Sequence, residues 1–99
     1  MGTLYYGDTR AAIAIDDVQL AHLRVVMISK LRRNEPFSFS WLKTDGAAHR
    51  STVWVSPQTI LEFEFDGPDT PELDMARLER LSRDASTAKG LTVEVTADA

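Results

Sequence analysis

Apolar and polar positions alternate with period two in several short stretches and with the helical period in two longer ones. Thr3 to Tyr6 reads as a short strand, with Gly7-Asp8 as the turn after it. Ala11 to Ile15 can pair back on it, with Ile13 and Ile15 on one face. Asp16 and Asp17 then favour a helix start, because a carboxylate accepts from free amide donors and suits the positive end of the helix dipole. The helical pattern runs from about Asp17 to Arg33. Its basic end, Lys30-Leu31-Arg32-Arg33, suits the negative end of the dipole, and Asn34 and Pro36 stop it. Phe37, Phe39 and Trp41 alternate with Ser38, Ser40 and Leu42, the pattern of a half-buried strand. Thr44 to His49 is a polar loop. Ser51 to Ser56 is another strand, with Val53 and Val55 opposite Thr52 and Trp54, ended by Pro57. From Ile60 to Asp66, Leu61, Phe63 and Phe65 point inward, while Glu62 and Glu64 point to water. Gly67-Pro68-Asp69 breaks the chain. Thr70-Pro71 predicts the start of a helix from about Pro71 to Ser86, with Leu73, Met75, Leu78, Leu81 and Ala85 as its apolar side. Lys89-Gly90 closes it, and Leu91, Val93 and Val95 alternate with Thr92, Glu94 and Thr96 as a last strand.

The order β-β-α-β-β-β-α-β predicts an α+β fold: one domain over residues 1–99, with two helices on one face of a mostly antiparallel sheet. A chain of 99 residues is long enough to bury one core without staples. Its hydrophobic content of 43% and charged content of 26% are those of an ordinary globular domain. There is no cysteine, which removes disulfides, thiolate metal sites and cysteine nucleophiles together, and suits a reducing cytosol. The longest aliphatic run, Val25 to Ile28, is far too short to span a membrane. The first apolar stretch is interrupted by Gly7, Asp8 and Arg10, so no signal peptide is expected, and Tyr6 stands where a myristoylation motif has Ser or Thr. Cytoplasmic residence is the expectation.

The opening Met1-Gly2-Thr3-Leu4-Tyr5-Tyr6-Gly7-Asp8 resembles that of a group of small actinobacterial proteins beginning M-G-x-L-Y-Y-G-D. The resemblance continues through Ala21-His22-Leu23, Lys30-Leu31-Arg32-Arg33, Phe39-Ser40-Trp41, Arg50-Ser51-Thr52-x-Trp54, Phe63-x-Phe65-Asp66, Pro71-Glu72-Leu73 and Gly90-Leu91. It implies a cytoplasmic domain of unknown function. Some members of the group carry the label "ATP-dependent DNA ligase". Lys43-Thr44-Asp45-Gly46 does read K-x-D-G, the core of the nucleotidyltransferase signature in which the lysine takes AMP. The full signature needs an arginine where this chain has Ala48, and the first arginine after the glycine is Arg50. The metal carboxylates and phosphate-clamping lysines of that chemistry have no recognised counterparts here, so Lys43 is not expected to carry a nucleotide.

Other candidate chemistry is sparse. His22 and His49 have no partner at metal-ligand spacing and are expected to face solvent. No G-x-S-x-G elbow and no glycine-rich phosphate loop occurs. Glu62, Glu64 and Asp66 share one strand face at spacings of roughly 6.5–7 Å. That row reads as a solvated face that discourages edge pairing rather than as a cation site. No catalytic group, metal or cofactor is expected. Arg24 sits inside a wide apolar stripe of the first helix, with Leu20, Met27 and Leu31 around it. The leading explanation is an aliphatic stem that covers the core while the guanidinium reaches water.

The net charge of −4 works against nucleic-acid binding except through a local basic patch. Lys30, Arg32, Arg33 and Arg50, with Trp41 and Trp54 nearby in the chain, make up such a candidate patch. Trp54 lies on the opposite strand face from Val53 and Val55, so the two sets cannot enter one core. The first helix is also apolar around more than half its circumference. Both features point to a homo-oligomer, with Trp54 at the self-association surface. The favoured reading is a non-enzymatic binding or regulatory module that self-associates and has a protein partner. The alternative is a nucleic-acid-associated accessory protein.

Overall fold

Asp16 starts the first helix as the sequence requires: its carboxylate accepts from the amides of Val18 and Gln19 at 3.1 and 3.2 Å. This helix, α1, spans Asp17–Arg32. Its end is a Schellman motif. Asn34 takes φ +60, its amide donates to the Leu31 carbonyl, and the Glu35 amide donates to the Lys30 carbonyl. Pro36 follows and the helix cannot continue.

The computed structural model describes residues 1–43 and 49–95, with side chains for all of these but Lys43 and Val95. The strands are β1 (Gly2–Tyr6), β2 (Ala11–Ile15), β3 (Phe37–Lys43), β4 (His49–Val55), β5 (Leu61–Glu64) and β6 (Leu91–Val95); the second helix is α2 (Met75–Ala85). Class and element order are those the pattern predicts. The sheet, however, comes as two three-stranded pieces, β2-β1-β5 and β4-β3-β6. The cause lies at Ser56–Thr59. There the Thr59 amide donates to the Ser56 carbonyl and the Ser56 amide to the Thr59 hydroxyl. The tight turn re-aims the chain, so β5 pairs antiparallel with β1 instead of with β4. In the second sheet β3 pairs antiparallel with β4 and parallel with β6.

α1 packs on β1, α2 packs on β3 and β6, and the helices pack on each other. Leu4, Ile13 and Ile15 from one sheet, Phe37, Phe39, Val55, Leu91 and Val93 from the other, and Leu20, Leu23, Val26 and Met27 from α1 form the core. Fully burying each of the larger ones is worth about 1.5–3 kcal/mol. Leu61, Phe63 and Phe65 are half-buried and pack against it, in keeping with their inward phase.

Two local expectations change. α2 begins at Met75, capped by Asp74, and not at Pro71. The Asp74 carboxylate accepts from the Ala76 and Arg77 amides, so the segment from Thr70 to Leu73 stays outside the helix. Leu73 and Met75, expected on the apolar face, are exposed as a result, and Leu78, Leu81 and Ala85 make the contact with the core. His22, expected in solvent, is 1% exposed. Its Nδ1 lies 2.7 Å from the Val18 carbonyl and its Nε2 accepts from the Asp74 amide at 2.9 Å. A carbonyl can only accept and an amide N–H can only donate, so these partners fix a neutral imidazole protonated at Nδ1. Among the described residues no helix is long and apolar enough to cross a membrane.

Candidate functional site

Alternation along β4-β3-β6 sends Phe37, Phe39, Val53, Val55, Leu91 and Val93 toward the core. The other phase builds an outer face, whose rows follow from the strand register. Trp54 stands beside Ser38; Thr52, Ser40 and Thr92 form the next row; Arg50, Leu42 and Glu94 form the third. The Ser40 and Thr52 hydroxyls are 2.7 Å apart and satisfy each other across the strands. Trp54 is 60% exposed, and its carbonyl accepts from the Tyr6 hydroxyl at 2.8 Å, which ties this corner of the sheet to β1. The face is therefore rich in hydroxyls, and carries a cation and an anion on its two outer strands with an exposed tryptophan at one corner. Beside Ser38, Gly90 takes φ +74, and a Cβ there would run into the Ser38 hydroxyl and carbonyl oxygens. The corner across from Trp54 thus has no side chain standing on it.

A second concave feature lies where α1 passes under the segment linking β5 to α2. That segment is pinned at both ends by α1. The Asp66 amide donates to the Asp17 carboxylate at 3.0 Å, and the Asp74 amide donates to His22. Between the pins lies a cleft of about 330 Å³, lined by Ala21 of α1 and by Pro68 and Pro71 of the segment. Phe63 and Phe65 form one wall and Arg24 stands at the side. Arg24 is exposed.

These surfaces belong to a chain with a recognisable family. The chain belongs to the family described as Domain of unknown function (DUF7882), matched over residues 1–96. No curated protein and no solved structure matches it.

The basic residues picked out in the sequence are distributed over two places. Lys30 is 6% exposed, with its ammonium 3.1 Å from the Glu35 carboxylate and 3.3 Å from the Ser86 hydroxyl. It joins the ends of α1 and α2. Arg33 shares Glu35 at 3.4 Å and donates to the Ser29 hydroxyl at 3.0 Å. The Lys30 hydrogen bond, with Arg33 nearby, holds the Glu35 carboxyl below the ordinary glutamate range. Arg32 is exposed beside them, and Arg50 stands on the outer face of β4. Lys43 closes β3, and its side chain, together with residues 44–48, lies outside the described residues.

The carboxylates of β5 have partners. Glu62 pairs with Arg10 at 2.8 Å, and the Arg10 guanidinium lies 4.2 Å over the Tyr5 ring. The Tyr5 hydroxyl donates to Glu64 at 3.1 Å; that hydrogen bond, then desolvation, raises the phenol above its usual range. Among the described residues no set of three His, Asp or Glu side chains could hold a metal ion. Sequence reading missed Glu35 as the partner of Lys30, and it missed Arg77, Arg80 and Arg83. These last follow one another at every third position of α2 with no carboxylate within 4 Å among the described residues. Their spacing was visible, but their lack of partners was not.

Proposed function

We propose that this chain is a non-enzymatic binding module that works as a homodimer, and that the outer face of β4-β3-β6 is its pairing surface. The observation that carries the reading is Trp54, 60% exposed on the outer face of the sheet. Covering such a ring is worth about 2 kcal/mol, which favours contact over hydration.

The layout of the face suits a second copy of itself. A two-fold axis along β3 exchanges the outer strands. It sets Arg50 of one copy opposite Glu94 of the other, twice, and Leu42 against Leu42. The same operation lowers each Trp54 onto the bare corner at Gly90. Sheets stacked in this way keep their strands roughly aligned, and the hydroxyl row of Thr52, Ser40 and Thr92 lies at the centre.

Sedimentation at micromolar concentration should show a species near twice the monomer mass of 11.0 kDa. Trp54→Ser should shift it to monomer while leaving the far-UV spectrum unchanged, since the ring is outside the core. A wild type that is monomeric up to high micromolar concentration would remove the reading.

A further inference from the structure

We propose that the cleft between α1 and the segment from Asp66 to Asp74 binds a small apolar monocarboxylate, with Arg24 as the partner of the carboxylate. The argument begins with the spacing on α1. Asp17, Ala21 and Arg24 fall at i, i+4 and i+7, on one face of the helix. Asp17 holds the near end of the overlying segment through the Asp66 amide, and His22 holds the far end through the Asp74 amide. Ala21, between the anchors, is the smallest side chain that α1 presents there and, itself only 3% exposed, lines the cleft. The resulting volume of about 330 Å³ is at the lower end of the range that takes small organic ligands.

The lining sets the chemistry. Phe63, Phe65, Pro68, Pro71 and Leu73 supply apolar walls, with two rings and two rigid pyrrolidines among them. Arg24 is exposed, and no carboxylate lies within 4 Å of it among the described residues, although acidic residues outnumber basic ones 15 to 11 in the chain. A guanidinium beside apolar walls matches a carboxylate by a planar, two-pronged hydrogen bond. Asp69 lines the same cleft without reaching ion-pair distance of Arg24. Its charge opposes a second anionic group, which selects a monocarboxylate over a dicarboxylate. The ligand is thus a compact ring or short alkyl body bearing one carboxylate. This site is separate from the pairing face, so either reading can fail without the other.

Phenylacetate and octanoate, each titrated into the full isotope-labelled chain and followed by amide chemical shifts, test the assignment. Phenylacetate should bind saturably, with the largest shifts at Ala21, Arg24, Phe63 and Phe65. Phenylacetamide, which keeps the ring and loses the charge, should bind about tenfold more weakly than phenylacetate, and phenylmalonate should also be weaker. Arg24→Gln, a change at an exposed position, should bring phenylacetate down to the level of the amide. Ala21→Met should fill the space and remove binding of both. No saturable shift with phenylacetate up to millimolar concentration would overturn the proposal. So would equal binding of acid and amide, wild-type affinity in Arg24→Gln, or shifts confined to β4-β3-β6.

Discussion

His22 holds together two parts of the chain that are 52 residues apart, with one ring nitrogen on α1's own Val18 carbonyl and the other on the amide that precedes α2. His22→Phe keeps the volume and loses both bonds. It should lower the unfolding free energy by about 1–3 kcal/mol, because the Val18 carbonyl and the Asp74 amide lose their partner in a part-buried place. Denaturant titration measures the loss. Hydrogen exchange should show the amides near Asp74 opening first, since the far anchor of the overlying segment is gone. A variant as stable as the wild type, with the Asp74 amide still protected, would contradict this role. The residue itself was legible, but not its burial. A histidine on a helix with aliphatic neighbours reads as a half-exposed ring until the distant amide that completes its bonding is known. Arg24 shows the reverse case: it sits in an apolar stripe of the sequence pattern and is exposed in the structure.

At the level of elements, the boundaries most readily predicted are those closed by local chemistry. Asp16 caps α1 with its own carboxylate and Asn34 ends it in a left-handed turn, both within reach of the sequence. The start of α2 was misplaced because Thr70-Pro71 fits a helix start by local chemistry, whereas the observed cap is Asp74, whose amide is held by His22 in another element. The split into two sheets and the parallel placement of β6 were not legible at all. Alternation assigns a face to each residue and says nothing about which strand lies alongside. Gly90 is the hinge of that placement, since it turns the chain from α2 into β6 directly against Ser38. Gly90→Ala should destabilise by about 3 kcal/mol or more, from the left-handed φ and the collision with Ser38 backbone together. Thermal unfolding would register it as a large drop in midpoint; an unchanged midpoint would mean that β6 sits differently.

For the molecule as a whole, the excess of acid over base says little by itself, because the charges are sorted by surface. On the β1-β5 face Glu62 and Glu64 are matched to Arg10 and Tyr5, and at the end of α1 Lys30 and Arg33 share Glu35. Arg50 and Glu94 are left on opposite edges of one face, a pattern that only the register reveals. Reversing one of them separates pairing from simple stickiness. Arg50→Glu should weaken the dimer about tenfold by setting like charges against each other, and adding Glu94→Arg should restore it. Recovery in the double variant, read by sedimentation, would follow only from the proposed two-fold. Double-variant weakness equal to the single would place the contact elsewhere.

The parallel pairing of β3 with β6 also has a consequence in time. On the ribosome β3 and β4 emerge early and can close on each other, but the strand that covers the other side of β3 follows only after β5 and α2. About 40 further residues, from 56 to 95, must be polymerised first, which at ordinary synthesis rates takes about 2–8 s. Throughout that interval β3 presents a row of open backbone donors and acceptors, backed by Phe37, Phe39 and Trp41. The nascent chain is therefore most vulnerable to cross-pairing with a neighbour on the same message just before Leu91 to Val95 appear. Docking of β6 closes that side of β3 and moves the open edges of this sheet to β4 and β6.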